Sequence, residues 1–423
     1  MELWKASGIK QKLLFTLGII FIFRLGVHIP LGGIDLAVVD KLFSSGNLLN
    51  FIDLFSGGAL AKFSIFAMGI IPYINASIIM QLMGSVIPKL EELRKEGGES
   101  GRRQIAQWTR YFTIILGTIQ GGGMAVWLWR SGAALGHPPS AGTPILFLLA
   151  TTAAMVAGSV FIMWLGEQIT ERGIGNGASL LIFVGIVARL PSYWSNTSQM
   201  VNEGAVSAFN VVLLLMVFFV ILVAIIFASE GARKVPVQSA KRQVGRKVYG
   251  GRSSYIPFRI NQGGVMPIIF ASSVLLFPAT INQFAKNEYI RMATDALAPS
   301  KPLYALLYFL LIIFFSFFYA SLVLNPVELA QNLKRYGSYI PGYRPGRPTA
   351  EFIEKILTRI TAIGAIFLGI IAIVPMIAER LTGVTTLQGM GSTALLIMVG
   401  VAIDLYNQLQ ANLLARQYEG FMK

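Results

Sequence analysis

Residues 204–229 read GAVSAFNVVLLLMVFFVILVAIIFAS, 26 consecutive positions without Asp, Glu, Lys or Arg. At 1.5 Å of rise per residue, a helix of that length exceeds the hydrocarbon core of a bilayer, about 30 Å thick. The same measure, carried outward along the chain, finds charge-free runs at 111–129, 260–285, 302–327, 360–378 and 381–403. Further candidates lie at 13–30, 63–87 and 144–166, with a shorter one at 173–188, which makes ten spans. The expected fold class is an all-α polytopic membrane protein with ten transmembrane helices.

Composition agrees. Of 423 residues, 54% are hydrophobic and 13% charged, whereas a soluble domain carries about 25% charged residues. The sequence has no cysteine and only His28 and His137, so disulfides, thiol catalysis, thiolate metal sites and histidine-based triads are not expected. The basic start, followed by an apolar run from Leu13, is compatible with a signal peptide. Arg24 and His28 late in that run, with no small-residue cleavage pattern after it, favour a retained first helix.

The chain carries 35 Lys and Arg against 20 Asp and Glu. Assigning alternate loops to opposite faces puts 26 of the 35 on the face of the N-terminus and 8 on the other, with Arg24 inside the first span. By the positive-inside rule both termini are cytoplasmic. Three basic loops stand out on that face, 88–110, 230–262 and 328–359. Topology and attraction to anionic lipid explain their charge. The middle loop holds eight basic residues against Glu230 alone, interleaved with Val248, Tyr249 and Tyr255, which suits a structured docking surface for RNA phosphates or an acidic protein.

Ten helices divide into five and five, and an odd number per half forces structural repeats into opposite orientation. The halves are expected at 1–190 and 191–423. The second and seventh spans then correspond, and both are interrupted, at Pro72 and at Gly263, Gly264 and Pro267. Between the first two spans, 48–61 is too short and glycine-rich to cross; periodicity favours an ordinary interfacial helix over a segment folded back into the protein. Arg24 is the clearest charge within a span and is expected to snorkel or to form a structural ion pair, while Glu167, Glu379 and Asp404 lie at span ends. A secondary transporter with inverted repeats is the alternative function, but it needs midplane acids that are largely missing. No phosphate-gripping GxxxxGK[ST], GxSxG elbow or HExxH occurs, and GIGNG (173–177) reads as a turn between helices. The chain is therefore not expected to be an enzyme or to hold a cofactor.

Long ordered blocks resemble the SecY family of bacterial translocon channels: FSGGALAKFSIFAMGIIPYINASIIMQL (55–82), EGGESGRRQ (96–104), MWLGEQITERGIGNGASLLIF (163–183), AKRQVGRKVY (240–249), MPIIFASSVLLFPATI (266–281) and LNPVELAQNLKRYGSYIPGYRPG (324–346). The resemblance implies two inverted five-helix halves around a central hourglass pore. The pore conducts unfolded secretory chains and releases membrane segments sideways into the bacterial cytoplasmic membrane. It places the pore ring on Ile70, Ile74, Ile182, Ile269 and Ile397, where aliphatic side chains exclude water yet yield to a passing chain. It turns 48–61 into a plug, with Phe51, Phe55, Gly57 and Gly58, and makes the second and seventh helices a lateral gate with Ser77, Gln81, Gln120, Ser272, Ser273, Phe277 and Ile281. Arg242, Arg246, Lys247 and Arg344 are implied to dock partners, with Arg344 on a stiff tip between Pro341 and Pro345. Implied partners are SecE and SecG small subunits, the SecA ATPase motor, the ribosome with its ribosomal RNA, signal sequences and nascent chains, and anionic lipid. Two departures from the family pattern are the extra glycine at Gly97–Gly98 and the small Ala178 near the ring.

Overall fold

The computed structural model describes residues 9–45, 53, 55–95, 97–136, 144–239, 242–244, 247–249, 253–282, 301–384 and 392–421. Among them, seven helices are long and apolar enough to cross a membrane, or eight when Ile71–Val86 and Pro88–Arg94, bent by 104° at their junction, count as one span. Helices also stand at the first and seventh expected spans, Ile9–Gly26 with 18 residues and Met266–Asn282 with 17.

Charge-free runs locate the spans but not their ends. The helices Gly98–Arg130, Ile145–Arg172 and Arg347–Thr382 run well beyond the apolar stretches that announced them. Backbone hydrogen bonding continues regardless of side-chain polarity, so a helix carries its charged turns out into water. Much of the expected basic loop 88–110 is therefore helical, with a break near Gly97 and Gly98, the latter at φ +53°. The fifth span continues past Ala188 as Leu190–Asn202. The ninth helix passes through Glu379 and Arg380, and the tenth begins at Ser392, eleven residues later than 381.

The second and seventh spans are corrected in the same sense. Residues 57–70 form turns, and the helix starts at Ile71 with Pro72 in its first turn. Pro72 thus begins a helix and does not break one, because a missing N–H costs nothing where no intrahelical acceptor exists. The seventh span does likewise: residues 262–265 are turns, and the helix begins at Met266, followed by Pro267. The two starts share a pattern, GIIPYI at 69–74 and GVMPII at 264–269, offset by 195 residues. Gly69 has φ +57° and Gly264 φ +58°, the left-handed region that glycine occupies without strain. Ile74 and Ile269 fall at the same place in this pattern, as do Ser77 and Ser272.

Two of the basic loops fold together. Strand β1 (Ala232–Ser239) pairs antiparallel with β4 (Ser253–Arg259) and with the short β5 (Ser338–Tyr339), giving the order β4-β1-β5. Between them β2 (Arg242–Val244) and β3 (Lys247–Tyr249) form a separate hairpin. Val235, Val237, Phe258 and Ile340 bury one face of the sheet against Ile353, Ile356 and Leu357 on the N-terminal part of Arg347–Thr382. Alternation along β1 turns Val235 and Val237 inward and leaves Lys234, Pro236 and Gln238 exposed.

Candidate functional site: an aliphatic constriction and the cavity above it

The five expected ring residues are all buried in one continuous core: Ile70, Ile74, Ile182, Ile269 and Ile397 are 0–7% exposed. Three of them, Ile74, Ile182 and Ile269, wall a single cavity of about 270 Å³. Its sides come from both interrupted helices, with Tyr73, Ser77 and Gln81 from one and Met266 and Phe270 from the other. These two helices pack directly against each other. Thr170, Asn176, Ser179 and Tyr319 complete a polar stripe. The cavity lining thus combines aliphatic side chains with hydroxyl and amide groups. Such a surface solvates a polypeptide of mixed composition, whereas the isoleucines offer water and ions no hydrogen bond.

Ala178, the expected small residue near the ring, lines the same cavity. Asn176 caps the helix behind it, its side chain accepting from the Ser179 N–H at 3.2 Å, and Thr170 Oγ1 accepts from the Gly177 N–H at 2.9 Å. The GIGNG turn therefore does more than connect. It presents Asn176 and Ser179 to the cavity, a role that reading it as a mere turn missed.

Two of the expected gate hydroxyls hydrogen-bond within their own helices. Gln81 donates to Ser77 at 3.2 Å and Ser272 donates to the Ile269 carbonyl at 2.9 Å, so these bonds run within one helix and do not cross between the two. One turn separates each pair, which puts both partners on the same helix face. Ser273 is buried, while Gln120, half-buried on Gly98–Arg130, does not line the cavity. Phe277 and Ile281 lie within Met266–Asn282, but their side chains fall outside the described residues.

Phe51 is outside the described residues, as is most of the expected plug before Phe55. The remainder is a buried turn. Asp53 Oδ1 accepts from the Leu60 and Ala61 N–H groups at 2.9 and 3.0 Å and from Ser56 Oγ at 2.9 Å, closing the turn on itself. Gly57 and Gly58 have φ +69° and +89°. A Cβ on Gly57 would lie 2.8 Å from the Gly185 Cα, so the turn touches the backbone of Gly177–Val187. Arg24 Nη1 donates to the Gly57 carbonyl at 3.1 Å, which corrects its reading as a snorkelling or ion-paired residue. Asp53 Oδ2 meets Arg189 Nη1 as an ion pair at 2.5 Å. Neither arginine contact was legible in the sequence, where 33 and 136 residues separate the partners; the sole acid of the glycine-rich segment was the available signal.

Of the expected docking residues, Arg242 and Lys247 lie on the β2–β3 hairpin, and Arg246 is outside the described residues. Arg344 is exposed; its carbonyl accepts from Thr349 Oγ1 at 2.8 Å, and neighbouring Tyr343 stacks on Phe352 with ring centres 3.9 Å apart.

The SecY family profile matches residues 64–406. Protein translocase subunit SecY of Synechococcus elongatus is 48% identical over 431 aligned positions, covering 100% of this chain and 96% of that protein. The subunit of the same name from Synechocystis is 46% identical, again covering 100% of this chain and 96% of its own. A solved structure described as a protein conducting channel superposes with a TM-score of 0.68 at 18% identity, covering 96% of this chain and 92% of that one. Sec61 in the canine ribosome–channel complex gives 0.63 at 16% identity, with the same coverage.

Proposed function

The chain belongs to the SecY family, and from that membership we infer that it is the pore subunit of a protein translocase, a multi-pass membrane channel for unfolded polypeptides. One observation carries the reading furthest: the two late-starting helices jointly wall a cavity that Ile74, Ile182 and Ile269 also line. A chain entering it meets polar groups first and an aliphatic constriction next. Separation of Ile71–Val86 from Met266–Asn282 opens a side door to lipid for apolar segments. With few ionisable residues deep in its spans, the chain supplies no relay for an ion-coupled transporter, and the transporter alternative is not favoured.

The turn around Gly57 acts as the plug, and the halves 1–190 and 191–423 move against each other around the ring. Charge distribution puts both termini in the cytoplasm of a bacterium. There, the β1–β5 platform and the Arg344 loop receive the SecA motor or a ribosome, whose RNA phosphates suit the basic hairpin. Energy comes from these partners, and no step of chemistry is assigned to the channel itself. SecE and SecG small subunits, signal sequences and anionic lipid complete the assembly. The test is reconstitution into vesicles with an ATPase motor. Translocation of a secretory chain without movement of a small solute down an ion gradient is expected; the opposite pattern rejects the channel.

A further inference from the structure

Asp53 has no exposed surface, and its two carboxylate oxygens face different structures. Oδ1 accepts three hydrogen bonds from its own turn, from Ser56 Oγ and the N–H groups of Leu60 and Ala61. Oδ2 faces Arg189, which sits in the short link between the helices Gly177–Val187 and Leu190–Asn202. Beyond this charge contact, Oδ2 and Arg189 Nη1 have no hydrogen-bond partner among the described residues, where each compensates the other. The Arg189 guanidinium lies 5.4 Å from the ring centre of buried Tyr193, which holds it in place by cation–π attraction. From a second helix, Ile9–Gly26, Arg24 reaches the Gly57 carbonyl.

We propose that Arg189 and Arg24 form a two-sided latch on this turn, with Arg189 as the positioning residue that holds the plug through Asp53. The inference rests on the reading of the turn as a plug. Because Oδ1 keeps the turn folded, the turn can leave as a unit, and the Asp53–Arg189 and Gly57–Arg24 contacts are the ones that break. A carboxylate buried beside no cation is strongly disfavoured, so the pair favours the seated position. Once the turn reaches water, hydration of Asp53 offsets the loss. The device is therefore specific to the closed state and adds no resistance to a chain already in transit.

Planar-bilayer recording of the full channel complex tests this with Asp53→Asn, Arg189→Gln, the double variant and Arg189→Lys. Asp53→Asn keeps the Oδ1 acceptor while removing the charge. Each neutral single variant should raise resting open probability about tenfold, the ratio produced by a coupling of about 1.4 kcal/mol. The double variant should be no leakier than the worse single one, and Arg189→Lys should restore most of the seal. Translocation of an ordinary secretory chain should stay within about twofold of the unmodified channel, whereas a merely structural role would lower it. Unchanged leak in both single variants, multiplicative effects in the double, or loss of assembly in both overturns the latch. Deletion of residues 50–61 serves as the control: if it opens the channel while the latch variants do not, only the latch fails. If the deletion leaves the resting leak unchanged, the plug reading fails and the latch with it.

Discussion

Gly57 and Gly185 meet backbone to backbone: a Cβ on Gly57 would stand 2.8 Å from the Gly185 Cα, and one on Gly185 2.9 Å from the Gly57 Cα. No methyl group fits between the turn and the helix behind it. Close approach of this kind lets a thin segment seat deeply without side chains of its own.

Gly185→Ala isolates that contact, because Gly185 lies in a regular helix and suffers no backbone strain from the change. Overpacking of this kind costs about 1–3 kcal/mol, and here it falls on the seated turn. Resting conductance in planar bilayers should rise while thermal unfolding in detergent stays close to the parent. Gly57→Ala, at φ +69°, adds about 1 kcal/mol of left-handed strain and should be leakier still. Parent-like leak in both variants removes the contact from the seal.

Ile74→Asn and Ile269→Asn should each hydrate the constriction and raise ion leak, since an amide stabilises water that an aliphatic wall excludes. Their matching positions after Pro72 and Pro267 predict comparable effects from the two. Ile74→Leu keeps the wall aliphatic and should remain tight. An unchanged leak in the double Asn variant would take both residues out of the ring.

Arg344→Glu should slow motor-driven or ribosome-driven translocation, and Arg344→Lys should slow it less, because lysine cannot reproduce the planar fork of donors. Tyr343→Ala tests the loop independently of charge by removing the stack on Phe352. If the stiff presentation matters, its rate falls although Arg344 is untouched. Normal rates on both routes in Arg344→Glu would return the residue to a topological role.

Gly158 lies where a Cβ would run into the Ile65 carbonyl, and neighbouring Ser159 Oγ donates to the Gly69 carbonyl at 3.2 Å. Helix Ile145–Arg172 thus supports the irregular stretch before Ile71. Gly158→Ala should lower the melting temperature of the purified channel, at a cost of about 1–3 kcal/mol, and Ser159→Ala should do so by less. A parent-like melting curve in Gly158→Ala would show that the stretch relaxes freely.

The apolar spans were legible because lipid cannot hydrogen-bond a charge, so an uninterrupted apolar run has few other readings. Their ends were not. Hydropathy gives the same value to apolar residues in a turn and in a helix, so 63–70 and 260–265 passed as helical, although Gly69, Pro72, Gly264 and Pro267 mark the true starts. The β1–β4 pairing was equally hidden in a loop read only for its charge. Alternation of Val235 and Val237 with exposed neighbours is too short to outweigh the basic residues around it.

Sequence alone determined that the chain is built for a membrane and, through long ordered motifs, that it belongs to the SecY family. Each of these depends on the chemistry of neighbouring residues along the chain. Only the tertiary structure decided that Asp53 meets Arg189, that Arg24 reaches Gly57, and that Asn176 and Ser179 face the same cavity as Ser77 and Ile269. A buried carboxylate and a buried guanidinium each require a partner, but which partner depends on how helices far apart in sequence pack, and no local pattern records that.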